Sequence, residues 1–572
     1  MLGRLLKSIR RSKAPGLAAA AMAHWRRNDL AAAERGFRLA LAERPFDAAI
    51  LANLGLVLLE AGSRDEALAL LRRACEADPA DLGVRGKLAR ALVAARRVRE
   101  GIEVYRELLR RDPGNARARA EILQPLLDCC EWTLLEEHVA ALTAAAGELP
   151  RAAWLTRIPP FVSLALPLAP DVQREIAVAA SAAIEQRVAS LPRPAQAPPK
   201  RRARLRIGYV SSDFYHHATA HLAAGLFELH DRERFELFAY CHSPDDGSDY
   251  RHRLIKAFDH FDEVRARSFD EIAARIAHDE IDILVDLKGH TGRSRLEIFA
   301  LRPAPVQLTY LGFPGTLGAA FIDYAIADAI VVPDADLAHF TENVVRLAGT
   351  YQVNDRRQPV AAATPRREAL GLPQDAFVFC SFCRHFKIEP VMFAAWMRIL
   401  AAVPESVLWL LQGAGASRLR EAAAQAGIDP ARLVFAPGVQ KAEHLARHRA
   451  ADLMLDTRLY NGHTTTSDAL WMGLPVVTCP GASFASRVSA SLLRAIDVAE
   501  GLTADLADYE RTAIALARDA TRRTTLKRKL EANRLSTALF DTEGFTRRLE
   551  RAYLSMWERH LAGQPAAQFD VD

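Results

Sequence analysis

The sequence predicts an α-helical solenoid of short repeats, followed by two doubly wound α/β lobes. Three observations support this fold class: a 34-residue period in the first quarter of the 572 residues, a Pro-rich basic stretch from Leu191 to Arg204, and two series of β-rich runs that alternate with amphipathic helical patterns. One core ordinarily serves about 100 to 200 residues, so a chain of this length should hold several domains.

The 34-residue period is carried by small residues, by aromatic residues or leucine, and by proline. The matching sets are Ala33, Ala67 and Gly101; Phe37, Leu71 and Tyr105; and Pro45, Pro79 and Pro113. A small residue lets two antiparallel helices approach closely, a large one fills the groove between them, and proline ends the second helix. This pattern is typical of tetratricopeptide repeats and predicts a repeat domain over residues 1–149.

Three repeats and a capping segment around Ile122 to Ala145 should stack into a short solenoid, because one repeat cannot bury its own apolar face. The concave surface of such a solenoid suits an extended peptide. Alternatively, the array only stabilises the chain or makes it dimerise.

Composition and charge exclude several classes of protein. Half of the residues are hydrophobic and a quarter are charged, as in soluble globular proteins. Much of the net charge of +5 lies in two runs, Arg4 to Lys13 and Lys200 to Arg206, which we interpret as a solvated terminus and a linker; nucleic acid is not expected as a partner. No segment approaches the ~20 apolar residues that span a bilayer, and the opening residues lack a secretory apolar stretch. Seven scattered cysteines argue against a disulfide framework, so we expect a cytoplasmic protein without membrane contact.

Residues 150–204 are expected to form a helical connector and a Pro-rich linker, because proline stiffens the chain and removes hydrogen-bond donors. Residues 205–357 should form the first α/β lobe. Its strand candidates are the run beginning at Leu205, Phe235 to Tyr240, Ile281 to Leu287 and Pro305 to Tyr310, with a helix from Phe269 to His278. Such alternation predicts a parallel sheet that is covered on both faces.

The alternation restarts within residues 358–572, which predict a second lobe with the nucleotide site and a C-terminal helix. Its strand candidates are Phe377 to Phe382, Val407 to Gln412, Leu433 to Ala436, Leu453 to Asp456 and Pro475 to Thr478. The helical pattern from Thr546 to His560 could pack back on the first lobe. Two such lobes form a cleft at the carboxyl ends of their strands, where a nucleotide and its reaction partner usually bind.

The strongest local signal is LYNGHTTTSDALWMGLPVVT, from Leu459 to Thr478, which places a glycine, a histidine and three threonines between a buried strand and a helix. Free backbone N–H groups, a positive dipole end and hydroxyls at a helix start suit a diphosphate. Asp468, near the first turn, could reach a ribose hydroxyl. Alternatively, Thr464 or Thr465 only caps the helix.

Other ionisable side chains also follow predicted strands. Lys387, in FKIEP, could neutralise the charge of a departing diphosphate, or it could be an ordinary surface lysine. Three histidines follow the first strand and two aspartates follow the second: His216, His217, His221, Asp245 and Asp246. Because loops at the carboxyl ends of neighbouring strands converge, a histidine and a carboxylate could share a proton-handling site, although each histidine could equally make only a structural hydrogen bond.

Two further patterns are weaker. The stretch from Leu301 to Gly318 is rich in glycine and proline, which predicts either a close backbone approach to a ligand or only a turn. Asp334 and Asp336 form a D-x-D that lies far along the chain from the diphosphate loop, so we predict no metal site.

Taken together, these motifs resemble the protein O-linked N-acetylglucosamine transferases and their bacterial and plant Spindly-type relatives. The matching motifs follow one another from about Leu205 to Ala490, behind the repeats: YVSSDF with His217 and His221, SPDDG, FALRPAPVQ, LGFPGT, FKIEP, VLWLL, KAEH and NGHTTTSDALW. Eight motifs in order are far more specific than a lone glycine-rich loop.

The resemblance implies a GT-B fold and an inverting, metal-independent transfer from UDP-N-acetylglucosamine to Ser or Thr hydroxyls, with no cofactor. By position, Lys387 would stabilise the leaving UDP, and His217 and Asp246 are the candidate proton-handling residues, although a phosphate oxygen could serve as the base instead. The residues that would contact the donor are His463, Thr464 and Thr465 at the pyrophosphate, Asp468, Lys441 and His444 at the ribose and uracil, and Gly312 and Pro314 at the sugar.

Three departures from the family pattern are visible. The T-K-G-A-R stretch of the animal enzymes is Thr291 to Arg295 here, so a lysine is missing although Arg295 is kept. The glutamine that usually lies three residues before the key lysine is Arg384. The domain that separates the lobes of the animal enzymes is absent. Both Arg295 and Arg384 remain candidate donor-binding residues, and GDP-fucose or UDP-glucose remains an alternative donor.

The sequence therefore predicts a protein O-glycosyltransferase whose repeat groove holds a protein or peptide acceptor and whose lobes bind the nucleotide sugar. A second copy of the chain is a candidate partner. An alternative hypothesis is that the protein is not an enzyme but a repeat scaffold, whose lobes bind nucleotide without turnover.

Overall fold

The computed structural model describes residues 13–144, 157–196 and 198–572. The basic run from Arg4 to Lys13 lies outside the described residues except for Lys13, and so does Ala145 at the end of the predicted capping segment. In the parts of the chain that are described, no helix is both long enough and apolar enough to cross a membrane.

The amino-terminal part is a stack of antiparallel helices, as the 34-residue period predicts. The helices are α1 Ala14–Arg26, α2 Leu30–Glu43, α3 Ala48–Ala61, α4 Arg64–Ala77, α5 Leu82–Ala94, α6 Val98–Arg111, α7 Ala116–Glu121, α8 Leu123–Cys129 and α9 Trp132–Ala144. Each repeated proline follows the end of a second helix by two residues, and aspartate or asparagine side chains cap the starts of α2, α3, α5 and α7.

Small residues at the repeat positions are required by close helix packing. A Cβ on Gly101 would lie 2.7 Å from Val93 Cγ2, and a Cβ on Gly55 would lie 2.9 Å from Leu71 Cγ. The buried side chains Phe37, Leu71 and Tyr105 fill the grooves. The sequence pattern therefore identifies the contact positions of the array correctly.

A short connector leads from the array to the lobes. It contains α10 Pro160–Ser163 and α11 Pro170–Val188. Ser181 of α11 donates a hydrogen bond to the carbonyl O of Leu317 at 2.7 Å, so this helix packs against the first lobe.

The first lobe surrounds a parallel sheet. Its strands are β1 Leu205–Ser211, β2 Phe235–Cys241, β3 His260–Glu263, β4 Ile283–Asp286, β5 Val306–Thr309, β6 Tyr324–Ala327, β7 Asn343–Leu347 and β13 Phe569–Val571. Within the described residues the strand order is β13-β7-β6-β5-β4-β1-β2-β3. Its helices are α12 Ala218–Leu229, α13 Asp249–Ala257, α14 Phe269–His278 and α15 Leu296–Ala300. The carboxyl ends of β1, β2 and β4 lie at one edge, because Leu205 pairs with Phe235 and Ile207 pairs with Ile283.

The second lobe has a smaller parallel sheet. Its strands are β8 Phe377–Ser381, β9 Ser406–Leu411, β10 Leu433–Ala436, β11 Leu453–Leu455 and β12 Val476–Val477. The order in the described part of the chain is β10-β9-β8-β11-β12. The helices that follow are α16 Pro390–Ala402, α17 Ala416–Gln425, α18 Lys441–Arg447, α19 Thr464–Trp471, α20 Val488–Ala495, α21 Leu506–Arg518, α22 Ala520–Asn533 and α23 Thr542–Leu561. Every strand that the sequence predicts in this lobe forms.

The end of the chain returns to the first lobe. Tyr553 of α23 lies with its hydroxyl 3.0 Å from that of Tyr209 in β1, and Glu550 accepts a hydrogen bond from the buried His230 at 3.0 Å. Strand β13 then pairs with β7. The predicted second lobe, residues 358–572, thus includes a helix and a strand that pack on the first lobe, as the helical pattern near the carboxyl terminus suggests.

The repeat array contacts both lobes. At its first repeat, Asn28 donates hydrogen bonds to the carbonyl O atoms of Arg265 and Arg267 at 3.1 and 3.3 Å. At its other end, Trp132 Nε1 donates to the carbonyl O of Ile388 at 3.0 Å, and Arg99 binds Ser417. The array therefore spans the cleft between the lobes.

Candidate active site at the interlobe cleft

The turn from β11 into α19 is shaped by one aspartate and one glycine. Asp456 Oδ1 accepts a hydrogen bond from Gly462 N at 2.7 Å, and its Oδ2 accepts one from Thr478 Oγ1 at 2.8 Å. A Cβ on Gly462 would lie 2.3 Å from Thr466 Oγ1, so only glycine fits this tight turn. After this turn the chain enters α19, whose first residues lie at the cleft.

The start of α19 has no side-chain cap. His463 precedes the helix with φ at 42°, outside the usual range for a residue with a side chain, and its Nε2 lies 3.0 Å from the carbonyl O of Ala485. Thr464 and Thr465 form the first turn and are partly exposed. Burial, together with the charge of Lys387, lowers the pKa of His463 well below its ordinary value, so this ring is neutral. The expected alternative, in which a threonine caps the helix, does not occur; backbone N–H groups and hydroxyls at this end are suited to an anion.

Lys387 lies beside this helix start. It ends a 3₁₀ turn, His385–Lys387, that follows β8, and its Nζ donates a hydrogen bond to the carbonyl O of Asn461 at 2.6 Å. Burial lowers the pKa of Lys387 to about 8, so the ammonium remains mostly protonated at neutral pH. Because its acceptor is a neutral carbonyl, the charge is available to an incoming anion.

A buried ion pair lies further along the same helix. Lys441 Nζ, at the start of α18, donates to Asp468 Oδ1 at 2.5 Å, and His444 Nε2 lies 3.6 Å from the other oxygen of Asp468. Burial raises the pKa of Asp468, and the positive charge of Lys441 opposes this shift. The three residues that the family resemblance assigns to the nucleoside therefore form one cluster.

In the first lobe, His217 caps α12 and lies above a second buried ion pair. Its Nδ1 accepts a hydrogen bond from Thr219 N at 3.3 Å and lies 3.4 Å from Asp213 Oδ2. Asp213 also accepts a hydrogen bond from Lys288 Nζ at 2.7 Å. Burial lowers the pKa of His217, Asp213 raises it and Lys288 lowers it, with burial dominant. The ring is therefore neutral at pH 7.

Asp246 does not contact the His217 ring. Its Oδ2 accepts from the backbone N of His216 at 3.0 Å, and its Oδ1 accepts from Ser248 N and Oγ at 3.1 and 2.7 Å. Burial acts to raise its pKa, but the hydrogen bonds from Ser248 and His216 outweigh burial and lower it. Asp246 therefore orders the loop that carries the histidines.

His221 shows that the two lobes face each other across this cleft. Its ring packs 4.6 Å from those of His216 and Tyr250, and its pKa is lowered to about 2, first by burial and then by the charge of Lys441. The lobes also touch directly, because Ser467 Oγ donates to Asn354 Oδ1 at 2.5 Å. The His217 loop and the Asp468 cluster thus border the same space.

The LGFPGT loop lines a neighbouring part of the cleft. Pro314 lines a pocket together with residues of the connector, such as Gln173, and of the second lobe, such as Phe484. A Cβ on Gly312 would lie 2.2 Å from the carbonyl O of Leu287, so its close backbone approach is to the protein itself.

Arg384 and Arg295 are both engaged by other parts of the protein. Arg384 is exposed, and its guanidinium lies 3.6 Å from Asp128 of the repeat array. Arg295 donates to the carbonyl O atoms of Val264 and Arg265 at 3.1 and 2.7 Å, and burial lowers its pKa to about 10. Arg295 therefore holds the loop that the first repeat also contacts.

The D-x-D aspartates are used in ion pairs between elements. Asp336 pairs with Arg487 of the second lobe, and Asp334 accepts a hydrogen bond from Arg346 at 2.5 Å. Over residues 13–144, 157–196 and 198–572, no group of three or more His, Cys, Asp or Glu residues is placed to hold a metal ion.

The sequence profile described as "Glycosyl transferase family 41" matches residues 129–367 and 359–549, which is more than half of the chain. The chain belongs to glycosyl transferase family 41. A tetratricopeptide repeat profile matches residues 58–121. Family 41 membership and the two parallel sheets confirm the predicted combination of helical repeats with GT-B lobes.

The chain is also similar to individual known proteins. The chain is 39% identical over 467 residues to the probable UDP-N-acetylglucosamine–peptide N-acetylglucosaminyltransferase SEC of Arabidopsis thaliana, covering 79% of this chain and 48% of the relative. It is 31% identical over 368 residues to the probable UDP-N-acetylglucosamine–peptide N-acetylglucosaminyltransferase SPINDLY of Petunia hybrida, covering 63% and 39%. A solved structure of a mutant O-GlcNAc transferase from Thermobaculum terrenum is 29% identical, with a TM-score of 0.69 and coverage of 97% of this chain and 99% of that chain. The chain spans about half the length of the curated relatives or less.

Three residues of the site were not predicted from the sequence. Asp213 and Lys288 form the buried pair beneath His217, and Tyr460 packs its ring against Lys387. Each lies in or beside a predicted loop at the carboxyl end of a strand, and that position was the available signal. Their pairing depends on loops that are distant in sequence, which periodicity does not show.

Proposed function

We propose that this chain is a protein O-glycosyltransferase that transfers N-acetylglucosamine from UDP-N-acetylglucosamine to Ser or Thr hydroxyls. The observation that supports this most strongly is the uncapped start of α19 with the ammonium of Lys387 beside it. A helix start and a cation together form a site for a diphosphate.

The buried cluster next to the helix start suits the nucleoside. Lys441 and Asp468 offer a charged donor and a charged acceptor, and His444, a ring whose pKa burial lowers well below its ordinary value, lies 3.6 Å from the remaining Asp468 oxygen. In this arrangement the diphosphate lies over His463, Thr464 and Thr465, and the sugar points toward Gly312 and Pro314.

The chemistry is positioning and electrostatics. The acceptor hydroxyl attacks the anomeric carbon, the bond to the diphosphate breaks, and Lys387 stabilises the negative charge that develops on UDP. Since Lys387 supplies positive charge at the leaving group, the proposed reaction uses no metal ion. His217, whose ring is neutral, handles the acceptor proton, and Asp246 orders its loop.

UDP-N-acetylglucosamine is the proposed donor because it stands in the names of both the Arabidopsis relative, at 39% identity, and the Petunia relative, at 31% identity. The proposed acceptor is a protein segment held by the repeat groove. Successive repeats offer it polar side chains such as Asn53 of α3 and Lys87 of α5, which are joined by a hydrogen bond of 2.9 Å. Cytoplasmic location and a homodimer stay predictions.

The test is calorimetric binding of UDP, UDP-N-acetylglucosamine, UDP-glucose and GDP-fucose, followed by mass spectrometry of proteins incubated with each donor. We expect UDP-N-acetylglucosamine to bind and to add one N-acetylhexosamine to Ser or Thr. Asp468→Asn should weaken UDP binding roughly 10- to 100-fold, because it removes a charge-assisted hydrogen bond. Asp429→Asn, at an exposed cap in the same lobe, is the matched control and should bind UDP normally.

The outcomes separate the alternatives. Preference for GDP-fucose or UDP-glucose would replace the donor but keep the enzyme class. Nucleotide binding without consumption of any donor, with all donors and a broad set of protein acceptors, would support a repeat scaffold instead.

A further inference from the structure

A cluster of aromatic rings centred on Tyr460 lies beside the side chain of Lys387. The ring of Tyr460 lies 4.8 Å from that of His463, 5.6 Å from Phe386 and 6.0 Å from Phe161. Phe386 and Phe161 meet Tyr460 at 86° and 62°, so they brace it edge-on. Phe161 belongs to α10, which means that the connector, the Lys387 turn and the α19 loop meet in one cluster.

Within this cluster, Tyr460 has the closest contact with the ammonium. Lys387 Nζ lies 4.0 Å from the centroid of the Tyr460 ring and 5.9 Å from that of Phe386. A cation within ~6 Å of an aromatic face is attracted by the ring quadrupole, and the attraction grows when the pair is desolvated. Tyr460 is only 7% exposed, so water screens this contact weakly.

The same short loop holds both contacts of the ammonium. Thr457 Oγ1 donates to the carbonyl O of Tyr460 at 2.6 Å, and Asn461 Nδ2 donates to the carbonyl O of Thr457 at 2.6 Å. The carbonyl O of Asn461 then accepts the hydrogen bond from Lys387. A lysine side chain has four rotatable bonds, so without such contacts its charge would sample many positions.

We propose that Tyr460 is a positioning residue for Lys387, whose ring face holds the ammonium at the start of α19 in readiness for the leaving diphosphate. The proposal rests on the proposed function. The ring acts through Lys387 and takes no part in bond breaking. Ordinary core packing is the competing explanation, and it predicts that any side chain of similar volume serves equally well.

The variants separate the ring from the hydroxyl, and the control separates it from the loss of buried volume. Tyr460→Leu removes the ring and keeps an apolar side chain, whereas Tyr460→Phe keeps the ring and removes the hydroxyl. Tyr324→Leu, in β6 of the first lobe, is a matched control for the loss of a buried tyrosine. Thermal unfolding of all three variants shows which of them remain folded.

The first measurement is kcat and KM against pH. Since Lys387 must be protonated, and its pKa is about 8 without a ligand, kcat/KM should fall as pH rises through that value. The ring favours the charged form, so Tyr460→Leu should move this fall to lower pH and decrease kcat roughly tenfold at neutral pH, with a smaller change in KM. Tyr460→Phe should retain the wild-type profile, and Tyr324→Leu should change stability without moving the profile.

The second measurement needs no sugar donor. The chain has ten lysines, so ¹³Cε-lysine NMR, with the signal assigned through Lys387→Arg, can follow the titration of Lys387 directly. If the wild-type protein transfers no sugar but the pKa of Lys387 is lower in Tyr460→Leu than in the wild type, the positioning role stands and the proposed function is rejected. Sugar transfer with an unchanged pH profile and Lys387 titration in Tyr460→Leu would overturn the positioning role. Equal impairment of Tyr460→Phe and Tyr460→Leu would also overturn it, because the hydroxyl rather than the ring face would then matter.

Discussion

The two lobes each pass from a strand into a helix at the cleft, and the two junctions are completed differently. In the first lobe, His217 caps α12 through its own Nδ1, and Asp213 is neutralised by Lys288 at 2.7 Å. In the second lobe, α19 begins at Thr464 without a side-chain cap, and Lys387 donates to a neutral carbonyl.

The difference assigns a different role to each junction. The first-lobe junction satisfies its own charges and helix start, so it has little need of an external anion. The second-lobe junction keeps a positive charge and backbone donors for a ligand, which is the property of a phosphate site. In the proposed reaction the donor phosphates therefore bind at the second lobe, and the first lobe presents a neutral histidine to the acceptor.

The largest expected effect comes from removing the charge at the second junction. Lys387→Ala should decrease kcat ~10²-fold or more, because the leaving diphosphate loses its main cationic partner. The fold should stay intact, since in the described structure the lysine ammonium makes one hydrogen bond, to a backbone carbonyl, and otherwise contacts aromatic rings that pack on one another without it. Steady-state kinetics and circular dichroism test this.

Lys256→Ala is the control for Lys387→Ala, because Lys256 is an exposed lysine of α13 in the other lobe. Its kinetics should match those of the wild type. Wild-type turnover by Lys387→Ala would show that the two junctions do not differ in the way proposed.

At the first junction, His217→Asn separates capping from proton transfer. Asparagine is a good N-cap, so the melting temperature should change little, but it cannot exchange a proton near neutral pH. We expect kcat to decrease about 10²-fold. Thermal unfolding and kcat, measured on one preparation, are the test; retention of wild-type kcat would mean that the ring only caps α12.

Much of this comparison could be predicted from the sequence, because the motifs lie in loops that follow strands. The strand ends near Lys387 and His463 are marked by apolar runs, and the 34-residue repeats are marked by spacing. Not every strand of the first lobe was predicted. Strand β3, His260–Glu263, is a polar edge strand without an apolar pattern, and β13 pairs with β7 only because the chain returns from the second lobe. Such long-range pairing, like that of Asp213 with Lys288, is set by packing and leaves no local signal.

The smallest effect should come from Asp246, which acts on the first junction through its loop. Asn at this position can accept with only one atom, so it cannot serve both His216 N and Ser248 as the carboxylate does. The loss of one partly exposed hydrogen bond is worth about 1 kcal/mol, so kcat/KM should decrease roughly fivefold in Asp246→Asn, far less than in His217→Asn. Kinetics of both variants and of the double variant measure this.

Because the carboxylate acts through the histidine loop, the double variant should be no slower than His217→Asn alone. A loss in Asp246→Asn as large as that in His217→Asn would instead place the carboxylate in the proton transfer itself.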